Sequence, residues 1–196
     1  MYLRINEIFY SIQGEGRHAG RAAIFVRFAG CNLQCPFCDT NHTNYFQIEE
    51  EKLVEYLLQQ NFPAQFVVLT GGEPTLQITD EFINLLHCKG FEIAIETNGT
   101  HEIKQSIDWI TISPKFEYVG RLAQLKQLKA NEVKIIVDEN SRINDCGIQA
   151  DYYYIQPCDT GDAERNQKIY ERCINFIKEN PKWKLSIQLQ KILRVQ

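Results

Sequence analysis

Long apolar runs and an excess of basic charge are both missing from this chain of 196 residues. No apolar run approaches the roughly 18 residues that a membrane-spanning helix needs, and residues 1–7 lack the apolar core of a signal peptide. The formal net charge is −4, which argues against a generally basic surface for nucleic acids. We therefore expect a protein that contacts neither a membrane nor a nucleic acid.

The sequence also lacks the even set of cysteines that a disulfide framework requires. It has seven, and three of them fall between residues 31 and 38. This distribution predicts a reducing, cytoplasmic environment. Of the scattered cysteines, Cys88 and Cys173 lie on predicted helix faces, where we expect small buried side chains.

Cys31, Cys35 and Cys38 form a C-x3-C-x2-C motif. Thiolate sulfur is a soft ligand that suits iron–sulfur clusters, zinc and copper(I). Three thiolates on one short loop can hold three corners of a four-iron cluster, so that the fourth iron can bind a small molecule. A Cys3His zinc site that adds His42 fits the spacing too and stays open as an alternative.

A third interpretation takes Cys35 and Cys38 alone as the C-x-x-C of a thiol–disulfide oxidoreductase. That motif requires the second cysteine to continue into an amphipathic helix, whereas residues 39–44 are polar and loop-like. It also leaves Cys31 unexplained. The three cysteines therefore favour metal binding over redox exchange.

Strand-like and helix-like segments alternate along the chain. Short apolar runs indicate strands, and apolar residues at helical spacing indicate helices. The predicted strands span residues 4–11, 22–28, 66–69, 92–96, 109–112, 133–137, 152–155 and 183–189. The predicted helices span residues 49–60, 79–90, 120–129 and 162–180.

This alternation predicts an α/β fold with a parallel sheet, because about six strand–helix units follow one another. A complete (β/α)8 barrel needs about 250 residues, so an open, partial barrel is expected. Internal repeats, low-complexity tracts and linkers are absent from the sequence, which predicts a single domain over residues 1–196.

Ligands of such sheets bind at the carboxyl ends of the strands. The predicted strands end in polar or glycine-rich groups, at Cys31–Cys38, Thr70–Glu73, Glu96–Asn98, Ser113–Lys115 and Gln156. Turn residues commonly follow strands in any protein. The cysteine loop shares this edge, however, and that favours a functional interpretation.

Arg27 interrupts the apolar run of residues 22–28. An arginine in a buried strand needs a partner. The partner is either an internal carboxylate or the carboxylate of a ligand, held by both edges of the guanidinium. The residues alone leave these two possibilities open.

The combination of the cysteine motif with Gly71-Gly72-Glu73-Pro74 after the next strand resembles the radical S-adenosylmethionine (SAM) superfamily. Within it, the sequence is similar to the 7-carboxy-7-deazaguanine synthase family. That similarity covers most of the chain and is carried by residues 12–16, 27–33, 38–40, 70–74, 96–99 and 113–115.

The resemblance implies a carbon–nitrogen lyase that uses a [4Fe–4S] cluster and SAM. An electron from the cluster would cleave SAM to methionine and a 5′-deoxyadenosyl radical, which would take a hydrogen atom from 6-carboxy-5,6,7,8-tetrahydropterin. The pterin ring would contract, lose ammonia and become 7-carboxy-7-deazaguanine, on the route to queuosine and other 7-deazapurines. The hydrogen would then return and regenerate SAM.

The resemblance also implies roles for individual residues. Cys31, Cys35 and Cys38 would hold the cluster, and Thr40 would bind Mg²⁺, although composition alone favours the carboxylate of Asp39. Contacts to SAM are implied for Phe37, Cys38, Asp39, Gly72, Glu73, Glu96, Asn98, Ser113, Pro114 and Lys115. Contacts to the substrate are implied for Ile12, Gln13, Gly14, Glu15, Arg27, Thr70 and Gln196.

Physical reasons accompany some of these roles. Without side chains, Gly71 and Gly72 would leave SAM access to the strand edge. Glu73 would either accept from the amino group of SAM or orient its own turn. Arg27 would pair with the carboxylate of the substrate, which decides between its two possible partners.

Beyond the site, the resemblance implies a homodimer and a flavodoxin- or ferredoxin-like protein as the reductant. Two other functions compete, namely a radical SAM activase acting on a partner protein and a non-catalytic zinc module that uses His42. The chain departs from many relatives in two places. Residues 44–46 stand where relatives have a tryptophan, and Gln190-Lys191 replaces a His-Lys pair.

Overall fold

The structure, a computed structural model, describes residues 1–38, 40, 44–103 and 106–196. Its central element is one sheet of nine strands. The strands are β1 (Tyr2–Ile12), β2 (Ala22–Phe28), β3 (Phe46–Glu49), β4 (Phe66–Gly71), β5 (Glu92–Thr97), β6 (Trp109–Ile112), β7 (Lys129–Val137), β8 (Gln149–Pro157) and β9 (Trp183–Leu185).

The strand order in the described chain is β3-β1-β2-β4-β5-β6-β7-β8-β9, which leaves β3 and β9 as the edges of an open sheet. β1 runs antiparallel to both of its neighbours. The strands from β2 through β4 to β9 all pair in parallel. This order confirms the predicted α/β fold with an open, partial parallel barrel.

Helices connect most of the strands or follow them. The described helices are α1 (Glu50–Gln59), α2 (Asp80–Cys88), α3 (Phe116–Val119), α4 (Ala163–Glu179) and α5 (Leu189–Leu193). α2 begins after Thr79 because that hydroxyl accepts a hydrogen bond from the N–H of Phe82 at 3.0 Å. None of the helices within the described ranges is long and apolar enough to cross a membrane.

Alternation along the strands gives the sheet an outer and an inner face. Val26 of β2 belongs to the same core as Leu53 of α1 and Phe82 of α2. Phe25, its neighbour in sequence, belongs instead to a separate inner cluster with Val68 of β4. The helices thus cover the outer face, and the inner face lines the interior of the barrel.

The predicted helix over residues 120–129 is wrong. Its place is taken by a 3₁₀ turn at Gly120–Ala123, an irregular segment and an early start of β7. The N–H groups of Lys126 and Gln127 both donate to the carbonyl of Gly99, at 2.9 and 3.1 Å. Hydrogen bonds to a neighbouring loop replace those of a helix, so tertiary contacts override local helix propensity.

The last predicted strand is shorter than residues 183–189, because β9 ends at Leu185 and α5 follows. The N–H of Leu189 donates to the carbonyl of Gly14 at 3.1 Å, which holds the C-terminal segment against the loop that follows β1.

The scattered cysteines divide between core and surface. Cys173 is buried, as expected, but Cys88 is exposed and the prediction for it is wrong. Cys88 occupies the last turn of α2, away from the buried stripe of Phe82, Ile83 and Leu86.

Candidate active site

A cavity of about 490 Å³ opens at the carboxyl ends of the strands. Most of the residues singled out in the sequence line it, and they come from seven different parts of the sheet and its loops. They are Ile12, Gln13, Gly14, Glu15, Arg27, Cys31, Cys35, Phe37, Cys38, Thr40, Thr70, Gly72, Glu96, Asn98, Ser113, Lys115 and Gln196. Asp39 lies outside the described residues.

Strand periodicity explains why these side chains meet. Successive residues of a strand alternate between the two faces of the sheet, so the inner face of each strand brings a polar side chain to the cavity near the carboxyl end. Six neighbouring strands each contribute one such side chain to the cavity wall, namely Arg27 of β2, Thr70 of β4, Glu96 of β5, Thr111 of β6, Lys134 of β7 and Gln156 of β8.

The three thiols of the cysteine loop all line this cavity. The sulfur of Cys31 accepts a hydrogen bond from the N–H of Leu33 at 3.4 Å, and Asn98 Nδ2 lies 4.0 Å from the same sulfur. N–H donors to sulfur are a recognised influence on the potential of iron–sulfur clusters. Within the described ranges, no three His, Cys, Asp or Glu side chains are grouped closely enough to hold a single metal ion.

The protonation of these thiols depends on burial and on a nearby lysine. Burial raises the pKa of Cys31. Burial also raises the pKa of Cys35, while the charge of Lys115 opposes that rise. Iron binds the thiolate form, so a cation facing Cys35 suits a loop that must lose protons when it is loaded. Three soft donors around one cavity, with N–H groups and a cation beside them, fit a [4Fe–4S] cluster.

Gly71 and Gly72 pack against the cysteine loop and the strand that leads into it. A methyl group on Gly72 would lie 1.9 Å from the carbonyl oxygen of Gly30, the residue before Cys31. Gly71 has φ +107° and would place a methyl group 2.5 Å from the carbonyl oxygen of Phe28. Glycine is required here for backbone packing, a reason that differs from the ligand access inferred from sequence.

Glu73 lies behind the cavity wall and is fully buried. Its carboxylate accepts hydrogen bonds from the hydroxyls of Thr75 and Thr97, at 2.6 and 2.7 Å, and from the N–H of Asn98 at 2.8 Å. These contacts correspond to the second of its two predicted roles, the orientation of the turn. Pro114 is buried as well and does not line the cavity.

Asn98 connects the end of β5 to the cysteine loop. Its Nδ2 donates to Asn32 Oδ1 at 3.1 Å, and its Oδ1 accepts from the N–H of Thr100 at 2.9 Å. The side chain is therefore held at both ends, next to Cys31.

Arg27 has an internal ion pair and also faces the cavity. Its Nε donates to Glu7 Oε1 at 2.7 Å, and its Nη1 lies 3.4 Å from Thr40 Oγ1. The other oxygen of Glu7 accepts from Gln196 Nε2 at 2.9 Å. Arginine, threonine and the last residue of the chain thus meet at one side of the cavity.

Glu15 and Lys134 form a buried ion pair on the opposite side. Glu15 also accepts hydrogen bonds from the amides of Gln188 and Gln190, at 2.9 and 3.0 Å. Burial alone would raise the pKa of Glu15, but the charge and hydrogen bonds of these partners lower it to about 2. Burial alone would lower the pKa of Lys134, but the carboxylates of Glu15 and Glu96 raise it.

Glu96 contacts two residues that were predicted to bind the substrate. Its carboxylate accepts from Gln13 Nε2 at 3.1 Å and from the hydroxyl of Thr70 at 2.8 Å. The predicted SAM contact and the predicted substrate contacts are therefore neighbours in one hydrogen-bonded group.

Lys115 extends over the cysteine loop. Its Nζ donates to Ser113 Oγ at 2.7 Å and lies 5.4 Å from the ring centre of Phe37. Burial lowers the pKa of Lys115 to about 8. The ring of Phe37 in turn meets Tyr118 edge-on, with 4.5 Å between ring centres.

Sequence reasoning missed several residues of the cavity wall. Lys134 interrupts the apolar run of β7 just as Arg27 interrupts that of β2, so the same argument would have found it. The positions of Gln188 and Asp159 carry no comparable signal, because each reaches the cavity through the placement of a loop. Lys191 was singled out only as part of the pair that replaces His-Lys in relatives, and it reaches the cavity on α5.

The class of protein follows from a match to a known family. Residues 25–141 match the model of the Radical SAM superfamily, a span that begins in β2 and ends just after β7. This is more than half of the chain, so the chain belongs to the radical SAM superfamily.

Relatives that match over their full length identify the family within this superfamily. The 7-carboxy-7-deazaguanine synthases of Bacteroides thetaiotaomicron and Burkholderia multivorans are each 38% identical to this chain, and each match covers 100% of both sequences. The solved structure of QueE from Escherichia coli is 29% identical with a TM-score of 0.76, over 96% of this chain and 95% of that one. The chain is a member of the 7-carboxy-7-deazaguanine synthase family.

Membership establishes the type of chemistry. The protein is a radical SAM enzyme of 7-deazapurine biosynthesis, and its cofactors are a [4Fe–4S] cluster and SAM. The relatives favour neither an activase nor a zinc module. His42, which the zinc site would need, lies outside the described residues.

Proposed function

We infer that this enzyme converts 6-carboxy-5,6,7,8-tetrahydropterin to 7-carboxy-7-deazaguanine with loss of ammonia. One observation carries the inference. A single cavity joins the three-cysteine loop to a buried carboxylate, Glu15, and to a guanidinium, Arg27. A carboxypterin offers N–H donors on its ring and a carboxylate at its far end, which are the complements of these two groups.

Bound together, the cluster and SAM would supply the abstraction and return of a hydrogen atom. The residues of the chain would hold the substrate for that exchange. Arg27 would grip the substrate carboxylate, with Glu7 fixing the guanidinium from behind at 2.7 Å. Ring contraction with loss of ammonia leaves no net oxidation, which agrees with a hydrogen atom that is returned.

The other end of the substrate would meet polar groups that follow β1 and one that lies on β4. Glu15 would accept from ring N–H groups, and Gln13 and Thr70 would supply further hydrogen bonds. The backbone of Ile12 and Gly14 would complete this edge. A site that buries such groups penalises any ligand that leaves them without partners.

SAM would lie between the cysteine loop and the carboxyl ends of β4 to β6. Phe37 offers an aromatic face for adenine, and Lys115 and Ser113 form a hydrogen-bonded wall beside it. The remaining proposed contacts to SAM are Cys38, Asp39, Gly72, Glu73, Glu96, Asn98 and Pro114. For Glu73 and Pro114, their burial supports an indirect contribution through the turns that they hold.

Thr40 is the proposed Mg²⁺ ligand. Its hydroxyl lies 3.4 Å from Arg27 Nη1, next to the proposed site of the substrate carboxylate. A hard cation prefers oxygen ligands and retains water, so one hydroxyl together with substrate oxygens would suffice. The ion would then stabilise the same carboxylate that Arg27 binds.

Three further properties belong to the proposal on the strength of family resemblance. The enzyme would work in the cytoplasm, take its electron from a flavodoxin- or ferredoxin-like protein and form a homodimer. Light scattering at micromolar concentration tests the last of these, and a monomer alone would contradict it.

The function is tested by incubating the anaerobically reconstituted enzyme with SAM, dithionite and the carboxypterin. We expect a product with the mass of 7-carboxy-7-deazaguanine and a faster reaction with Mg²⁺ than without it. SAM cleavage without any deazapurine would contradict the proposed substrate, and equal rates with and without Mg²⁺ would contradict the metal site.

A further inference from the structure

Lys134 lies inside the barrel among carboxylates. Its Nζ contacts Glu15 Oε2 and lies 3.9 Å from Glu96 Oε1, and Glu132 precedes it by two residues on the same face of β7. Only 6% of the Lys134 side chain and 13% of the Glu15 side chain are exposed. A carboxyl group that is shielded to this extent needs a specific partner to remain ionised.

We propose that Lys134 is a positioning residue that keeps Glu15 ionised and directed into the cavity, so that Glu15 can accept hydrogen bonds from the ring N–H groups of the substrate. This inference rests on the proposed function, in which Glu15 binds the pterin ring. Lys134 occupies one carboxylate oxygen, while Gln188 and Gln190 donate to the other. A carboxylate has about four acceptor positions, so these three donors fix its plane and still leave it able to accept.

The charged groups around Glu15 show why its ionisation depends on Lys134. The titratable groups that face Glu15 are Lys134 and Glu132 on β7, Glu96 on β5, Lys115 after β6 and His18 after β1. Two of these are carboxylates, which oppose a further negative charge. The donors from the C-terminal segment are neutral amides.

The sign of the expected pH effect follows from these contacts. With Lys134 present, the pKa of Glu15 is about 2, so Glu15 is ionised at any pH near neutrality. Without the lysine, burial, which is the largest influence on Glu15, raises its pKa, and the hydrogen bonds of Gln188 and Gln190 are what remains to oppose that rise. Substrate binding would then be weak at low pH and would recover as rising pH ionises Glu15.

The experiment compares wild type with Lys134→Met in the reconstituted holoenzyme, and measures KM and kcat for the carboxypterin between about pH 6 and pH 9. We expect KM of the variant to be raised about 10- to 100-fold at the acidic end, the loss expected for a hydrogen bond to a charged group. The excess should shrink as pH rises, with a smaller change in kcat. Lys129→Met, an exposed lysine of the same strand, serves as the control and should match wild type.

A double-mutant cycle separates action through Glu15 from a general structural effect. Glu15→Gln should raise KM by itself, and adding Lys134→Met to it should change KM little further. A full additional loss in the double variant, or a KM for Lys134→Met that is unchanged and independent of pH, would overturn the inference.

Folding and the underlying reaction are checked separately. Iron and sulfide content and SAM cleavage without substrate should survive in Lys134→Met. If that variant does not fold, Lys134→Gln keeps a donor towards Glu15 without the charge and should show the same pH dependence. Failure of both to fold would overturn the positioning role. A wild-type enzyme that makes no deazapurine would contradict the proposed function instead.

Discussion

Single polar side chains on neighbouring strands of the sheet define the chemistry of the cavity. Arg27 pairs in register with Thr70, and Glu96 pairs with Thr111. In each case the preceding inner-face residue of the strand, two positions earlier, belongs to the inner apolar cluster or packs against it. A single substitution here therefore changes the charge of the cavity while the apolar layers that support the fold remain intact.

Arg27→Gln tests the proposed carboxylate contact. We expect kcat/KM to fall by about 10²-fold or more, because the variant loses a charge-assisted, bidentate contact to the carboxylate of the substrate. Iron content should stay the same. Arg165→Gln is the matched control, because it removes an exposed ion pair between Arg165 on α4 and Glu139. A rate for Arg27→Gln close to wild type would show that the guanidinium serves only its ion pair with Glu7.

Gly72→Ala tests the packing of β4 on the cysteine loop. Its methyl group would overlap the Gly30 carbonyl, so we expect the free energy of unfolding of the apoprotein to fall by about 1–3 kcal/mol. Iron bound after reconstitution should fall as well. Gly147→Ala meets no neighbouring atom and carries only the strain of a positive φ, about 1 kcal/mol. If Gly147→Ala lost as much iron, the clash at Gly30 would not be the cause.

The placement of helices and loops determines which side chains outside the strands line the cavity. α5 is held in place because Leu189 bonds to Gly14, after β1, and Lys191 bonds to Asp159, after the carboxyl end of β8, at 3.1 and 2.9 Å. The backbone N–H of Gly161, together with Lys191, holds the pKa of Asp159 at about 2. This element brings Gln190 against Glu15.

Asp159→Asn tests that attachment. A carboxyl group whose pKa is lower in the folded than in the unfolded protein stabilises the fold at pH values above its unfolded-state pKa. That stabilisation is lost as the pH falls through its folded-state pKa. We expect the variant to be less stable than wild type by at most about 1 kcal/mol near neutral pH, since solvent screens this pair. The gap should close between about pH 4 and pH 2. Asp151→Asn, an exposed change on β8, should show no gap, and a gap for Asp159→Asn that persists at low pH would contradict the account.

Thr79→Ala tests the start of α2. The variant removes an acceptor for the N–H of Phe82 and a donor to Glu50 at 2.8 Å. We expect a loss of about 0.5–2 kcal/mol in unfolding free energy with kcat/KM unchanged. Thr79→Ser, which retains the hydroxyl, should recover most of the loss. A fall in activity that exceeds the fall in stability would show that this helix affects the cavity directly.

At the scale of the whole molecule, the sequence was sufficient for the α/β class, for an open, partial parallel barrel and for the edge where the site lies. Short apolar runs such as residues 22–28 and motifs such as Cys31–Cys38 are local signals, and they placed most of the cavity wall. Residues 120–129 were assigned wrongly because their bonds go to Gly99, far away in sequence. The contacts of Gln188, Gln190 and Asp159 were invisible for the same reason.

The central claim is that one cavity unites a cluster held by three cysteines with the site of pterin rearrangement. The most direct measurement is anaerobic product formation by Cys31→Ala, Cys35→Ala and Cys38→Ala, beside wild type and Cys146→Ala as a control outside the cavity. We predict that wild type and Cys146→Ala bind iron and form 7-carboxy-7-deazaguanine, whereas the three loop variants do neither. Deazapurine formation by any loop variant at the wild-type rate would contradict the account.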